Sequence, residues 1–246
     1  MLKVEHISTG YGKKQVLFDV SFEVAKGDIV LLAGSNGSGK STLLKAIYGL
    51  LPIWNNHVIA SETKQSPAKG CVYFNGENIT GLPASALLKK GLLYIPQKNN
   101  LFEDLSVKEN LEMAGLTIGN GKLLHERIDN ALARFPSLAP HLKRTPMKLS
   151  GGERQLLTFA MATLHQPEII LIDEPLTGLS EQNIRFVREK LKLLNEQGIT
   201  LLVVEHRVKE ISEIVHKVIG LKLGRIFSET EVNENLQINQ LGSVFV

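Results

Sequence analysis

The 246-residue chain has one cysteine, Cys71, so it can form neither an internal disulfide framework nor a multi-cysteine metal site. Charge of one sign is in little excess. Lys plus Arg number 28 against 25 for Asp plus Glu, a net +3, too small to argue for nucleic-acid binding. No apolar run approaches the ~18 to 20 residues that cross a bilayer, and Met1–Glu5 lacks the charged-then-apolar pattern of a secretion signal. No fixed-period repeat or low-complexity segment stands out. Hydrophobic residues at 43% and charged residues at 22% exclude disorder and fibrous repeats. The expectation is a soluble intracellular chain of one to two domains, large enough for a real core.

Three short apolar runs, Ile29–Ala33, Ile169–Ile172 and Thr200–Val204, suit strands covered on both faces of a parallel sheet. Helical patterns separate or follow them at Lys40–Leu51, Glu181–Glu196 and Val208–Val215. Strands alternating with helices predict a mostly parallel α/β core with right-handed connections. Val16, Phe18, Val20, Phe22 and Val24 alternate with Leu17 and polar residues, which predicts a half-buried strand with Leu2–Ile7 as neighbour. From Val107 to His165 the patterns turn helical, with amphipathic stretches at Leu124–Phe135 and Gly152–Leu164 and prolines at 136, 140 and 146 between them. This reads as a helical insertion into the core. Asn55–Lys69 is polar and turn-rich, a candidate surface loop.

Gly34, Ser35, Asn36, Gly37, Ser38, Gly39, Lys40 and Ser41 match G-x-x-x-x-G-K-[ST] between a buried strand and a helix. The glycines let the backbone wrap a phosphate, and the helix start adds its positive dipole end. Lys40 would reach the β- and γ-phosphates and the Ser41 hydroxyl would ligate Mg²⁺. The run at Ile169 ends in Asp173 and Glu174, at the sheet edge where ligands bind. Asp173 is placed to hold Mg²⁺ and Glu174 to polarise a water; taken alone, the two would equally suit a solvated strand end. A second glycine-rich element, Ser150, Gly151, Gly152 and Glu153, opens a helix. Ser150 and Glu153 make a capping box, which accounts for them as local structure. Gly151 and Gly152 lower helix propensity, and make better sense if an anion approaches their bare N–H groups.

The set Gly34–Thr42, Leu149–Gln155 and Ile169–Glu174 resembles the ATP-binding subunit of ABC transporters, in order and spacing, across essentially the whole chain. The resemblance implies an α/β P-loop NTPase (RecA-like) core with a β-subdomain over 1–95 and 166–246, and an inserted helical subdomain over 96–165, in one ABC ATPase domain. It further implies that Thr42 joins the nucleotide site, that Tyr11 stacks on adenine, that Gln97 senses Mg²⁺ and γ-phosphate, and that His206 hydrogen-bonds the γ-phosphate. Within the superfamily, Asn75–Pro83, Leu93–Gln97, Leu101–Leu111 and Arg134–Leu138 are most similar to the ATPases of branched-chain amino-acid importers. Lipopolysaccharide-export ATPases share part of this wording. The chain departs from the family at Ser180, where aspartate is frequent, at Arg207, where an acid is common, and in a longer 53–70 segment carrying Trp54 and His57.

The implied mechanism is a nucleotide-clamped dimer, the phosphate loop of one chain and Ser150, Gly151, Gly152 and Glu153 of the other sandwiching each ATP. Implied partners are ATP and Mg²⁺, integral-membrane permease subunits, an identical or related second ATPase, and an external solute-binding protein, with no nucleic acid. The implied place is cytoplasmic, peripheral on the inner face of the inner membrane. An exporter ATPase and a soluble ATPase acting on ribosomes or DNA are the alternative functions.

Overall fold

The computed structural model describes residues 1–54, 70–98 and 100–232; the expected surface loop at 55–69 and the apolar ending Val244–Val246 lie outside the described residues. The elements in chain order are β1 (Leu2–Tyr11), β2 (Lys14–Val24), β3 (Ile29–Ala33), α1 (Lys40–Ile47), β4 (Cys71–Phe74), β5 (Glu77–Asn78), α2 (Ala84–Lys89) and β6 (Leu92–Ile95). They continue with α3 (Val107–Ala114), α4 (Gly121–Arg134), α5 (Gly151–Thr163), β7 (Ile169–Asp173), α6 (Glu181–Glu196), β8 (Thr200–Val204), α7 (Val208–Ile211), β9 (Lys217–Lys222) and β10 (Arg225–Glu231).

Six strands in the order β10-β9-β3-β8-β7-β6 form the main sheet, parallel from β9 to β6 with β10 antiparallel at the edge. Every residue of β3, β7 and β8 is buried. Successive strand residues face opposite ways, so each apolar run feeds two cores. Leu31, Ile170, Ile172, Leu201 and Val203 pack towards the helical side with Leu156, Leu157 and Phe159 of α5. Val30, Leu32, Leu171, Leu202 and Val204 pack towards α1 and a second, antiparallel sheet of order β2-β1-β4-β5. Two covered faces are the physical reason these strands show no polar alternation.

The structure corrects three local expectations. In β2 the inward set is Leu17, Val20, Phe22 and Val24; Val16 and Phe18 are only partly buried. The β1–β2 register slips between Val4 and Thr9, where His6 and Asp19 take left-handed φ of 52° and 57°. The Asp19 N–H donates to Ser8 Oγ at 3.1 Å and His6 Nδ1 lies 2.8 Å from Asp19 Oδ1. A bulge of this kind turns later residues onto the other face. The helix expected over Lys40–Leu51 stops at Ile47, because Gly49 with φ 70° breaks the run. The helix expected over Val208–Val215 is one α turn, α7, followed by a 3₁₀ turn at Ser212–Ile214.

Among the described residues no helix is long and apolar enough to cross a membrane.

Candidate active site

β3 delivers the chain into the phosphate loop at the C-terminal edge of the sheet. The loop leaves room for backbone only: a Cβ on Gly34 would lie 2.1 Å from the Leu221 carbonyl oxygen. Gly39 caps α1 with φ 107°, where an L side chain is strained. α1 has no side-chain cap and no acid in its first turn, so its first N–H groups are left for an outside acceptor. Ser35, Asn36 and Gly37 are exposed at the tip of the loop. Ser38 is buried, with no hydrogen-bond partner for its hydroxyl. Lys40 is 5% exposed, and its Nζ donates to the carbonyls of Gly34 at 2.8 Å and Ser35 at 2.9 Å. Burial lowers its proton affinity, while Glu174, Asp173 and Glu205 oppose that by their charge. A buried cation within a ring of carbonyls, bare N–H groups and an orphaned hydroxyl suits a polyanion. Tyr11, at the end of β1, is 48% exposed with its hydroxyl 3.5 Å from Thr42 Oγ1, so its ring borders the loop.

The opposite wall comes from the ends of β6, β7 and β8. Ser41 Oγ donates to Asp173 Oδ1 at 2.9 Å, and the Tyr94 hydroxyl to Asp173 Oδ2 at 3.3 Å. Burial pushes the Asp173 carboxyl up, and the two hydroxyl donors pull it back. Burial and the neighbouring Asp173 charge push the Tyr94 phenol well up, which keeps it a neutral donor. Glu174 follows with φ 49°; Asp173 and Glu174 are thus adjacent in sequence but reached through a left-handed step. Glu174 Oε2 accepts from Gln97 Nε2 at 2.5 Å and from Thr177 Oγ1 at 2.9 Å. His206 Nδ1 is 4.0 Å from the same oxygen. Gln97, Glu174 and His206, far apart in sequence, therefore meet beside Asp173.

The second glycine-rich element lies at the head of α5. Ser150 Oγ accepts from the Glu153 N–H at 3.3 Å, and Glu153 Oε2 accepts from the Ser150 N–H at 2.7 Å. Glu153 Oε1 is 2.9 Å from His141 Nε2. The Ser150 amide, ahead of the other contacts, holds the Glu153 carboxyl below the usual range. The glycines have a packing reason that the sequence reading did not supply. A Cβ on Gly152 would come within 2.8 Å of Asn183 Oδ1 on α6, and one on Gly151 within 3.0 Å of Leu179. Gly151 is nevertheless exposed. Ser180, the departure noted above, is exposed at the start of α6 and makes no side-chain cap.

Three site residues escaped the sequence reading: Tyr94, Thr177 and Glu205. Tyr94 sits in an apolar run and only its hydroxyl reaches the site. Glu205 carried the same signal that marked Asp173, an acid closing a buried apolar strand. It has no exposed surface, and its Oε1 accepts from the Leu176 N–H at 2.7 Å.

The family profile described as ABC transporter matches residues 17–177. The "Probable branched-chain amino acid transport ATP-binding protein LivF" of Archaeoglobus fulgidus is 37% identical over 96% of this chain and 94% of its own length. The "High-affinity branched-chain amino acid transport ATP-binding protein BraG" of Pseudomonas aeruginosa is 34% identical over 92% of this chain and 91% of its own. Among solved structures, a nucleotide-free ATP-binding cassette from an ABC transporter superposes with TM-score 0.84 at 26% identity, covering 99% of this chain and 95% of that one. A dimeric cassette in a post-hydrolysis state with ADP and phosphate superposes with TM-score 0.76 at 26% identity, covering 95% and 99%. The chain belongs to the ABC transporter ATP-binding family: it is an ATP-binding, ATP-hydrolysing subunit, most similar to the ATPases of branched-chain amino acid transport.

Proposed function

We propose that this subunit works in a nucleotide-clamped dimer that powers import of branched-chain amino acids or related small polar solutes. The observation that carries the chemistry is the convergence of Gln97, Asp173, Glu174 and His206 opposite Lys40 and Ser41. The identities of 37% and 34% over nearly whole chains support the transport class.

Lys40, Ser38 and the loop N–H groups from Gly34 to Thr42 bind the phosphates, and Tyr11 lies against the adenine. Ser41, Asp173 and Gln97 would hold Mg²⁺, an oxygen-only donor set of the hard kind that ion takes. When bound, the ion neutralises developing charge on the phosphates. Glu174 takes a proton from the attacking water as its oxygen bonds to the γ-phosphorus, and the bond to the bridging oxygen of ADP breaks. His206 hydrogen-bonds the γ-phosphate. Ser150, Gly151, Gly152 and Glu153 face the nucleotide of the other chain, whether identical or related. The helices between 96 and 165 pass closure to integral-membrane permease subunits, with an external solute-binding protein delivering the cargo. The subunit is peripheral on the cytoplasmic face of the inner membrane.

A tagged pull-down at native expression from detergent-solubilised membranes tests this. Recovery of a polytopic permease with a solute-binding protein is the expected result, and a second ATPase would make the dimer a heterodimer. An export permease would move the assignment to the exporter class. Recovery only from the soluble fraction with ribosomes or DNA-binding proteins would overturn transport.

A further inference from the structure

Glu205 directly follows β8 and precedes His206, yet has no exposed surface. A carboxylate in such a place needs partners for both oxygens. Oε1 has one, the Leu176 amide at 2.7 Å. Oε2 has none. The Arg207 backbone N–H also lies near this carboxyl without making a hydrogen bond to Oε2. The side chain beside Oε2 is the His206 ring, whose Nδ1 is 3.8 Å away, about an ångström beyond hydrogen-bond distance. The same Nδ1 is 4.0 Å from Glu174 Oε2, but that oxygen already accepts from both Gln97 and Thr177. Of the two carboxylate oxygens facing the ring, only that of Glu205 has unfilled capacity. The ring is also the freer partner, with 36% of the His206 side chain exposed against 0% for Glu205. A small turn of the ring therefore closes the gap.

We propose that Glu205 is a positioning residue for His206: Oε2 accepts the Nδ1–H, which fixes the ring and turns Nε2 towards the γ-phosphate. A histidine nitrogen is assigned its role by the hydrogen bond its other nitrogen makes. The inference rests on His206 being the γ-phosphate ligand. Glu205 thereby ties two parts of the site together, holding the Leu176 amide, two residues after Glu174, with one oxygen and His206 with the other. A change at the γ-phosphate that moves His206 is then felt in the segment that leads from Glu174 to Leu179 and the head of α5.

The test is a mutant cycle on ATP turnover in the full chain, joined to ¹⁵N-histidine NMR. Glu205→Gln keeps an oxygen for the Leu176 N–H but removes the charged acceptor. The expected results are at least roughly tenfold lower kcat with little change in KM for ATP, and no further loss when Glu205→Gln is added to His206→Ala. In the unmutated protein the His206 signal is expected to show a proton on Nδ1, an arrangement lost in Glu205→Gln. Losses that multiply in the double variant would overturn the proposal, leaving Glu205 a structural residue. So would a His206 signal with a bare Nδ1 in the unmutated protein, a measurement that needs no variant to fold. Full turnover in His206→Ala would instead remove the γ-phosphate role of His206, and the proposal with it, whatever Glu205→Gln does.

Discussion

The two glycine-rich helix starts of this chain, before Lys40 and before Gly151, look alike in sequence and are built in opposite ways. The first has a left-handed glycine cap, no side-chain cap, no acid in its first turn and a buried lysine beside it. Its donors are unspent and its charge is positive. The second closes on itself, with Ser150 and Glu153 capping each other and His141 holding the remaining Glu153 oxygen. An acid in the first turn already answers the helix dipole. The first start has open donors for a ligand of its own chain. The second is a finished helix end whose exposed Gly151 offers a surface, so the nucleotide role proposed for it would require a second chain to bring the phosphates to it.

The sharpest way to break this contrast is Glu174→Gln, because it stops chemistry while leaving both helix starts intact. Turnover is expected to fall by a factor of ~10² to 10⁴, with ATP still bound and the protein accumulating as a dimer in light scattering. Unchanged phosphate release would remove Glu174 as the base.

Next in size is Lys40→Ala, which strips the buried charge from the first start. A charge-assisted hydrogen bond contributes about 1.5–3 kcal/mol, so ATP affinity should fall ~10- to 100-fold by calorimetry. Equal affinity in mutant and parent would show that the loop N–H groups suffice.

Ser150→Ala probes the second start. Loss of the cap costs about 1 kcal/mol, expected as a Tm lower by ~2–4 °C in a scan. If the element also contacts nucleotide across the dimer, turnover at saturating ATP falls too, at a temperature far below the melting point. A lower Tm with full turnover would make the element purely structural.

The smallest expected effect concerns pH. The folded Glu153 carboxyl is held below its ordinary value, first by the Ser150 amide, so its contribution is present above the unfolded pKa and is lost as pH falls through the folded one. Melting scans should therefore show the parent losing stability more steeply than Glu153→Gln below about pH 4.5. Glu153 is partly exposed, which keeps the difference small. Parallel curves would mean that the capping box contributes through geometry alone.

The sheet was legible because its central strands sit between two cores. Ile169–Ile172 and Leu201–Val204 are wholly apolar, the one polar residue Thr200 is buried at the strand start where its Oγ1 accepts from the Gly27 N–H, and the run lengths match β7 and β8 to within a residue. The shape of the loop over Gly34–Ser41 was legible because glycine is the residue that permits the positive φ at Gly34, Gly37 and Gly39. β2 was misjudged at Val16 and Phe18 because its phase depends on a bulge set by Ser8, His6 and Asp19 across two strands. Local alternation carries no trace of that slip. At Gly152 the sequence pointed to an anion and gave no sign of a packing reason, which comes from Asn183, 31 positions later in the chain.

By itself the sequence determined what is local or strongly periodic: the buried strands, the glycine-rich loop before α1, the capping box at Ser150, and membership in the ABC transporter family. Tertiary structure alone decided which side chains share an oxygen. Gln97, Thr177 and His206 gather around one carboxylate of Glu174, Tyr94 reaches Asp173 from an apolar strand, and Glu205 is left with one partnered and one unpartnered oxygen. The physical reason is range. Propensity and periodicity act over a few residues, whereas hydrogen bonding and burial depend on ångström distances between strand ends, and only the packed sheet sets those.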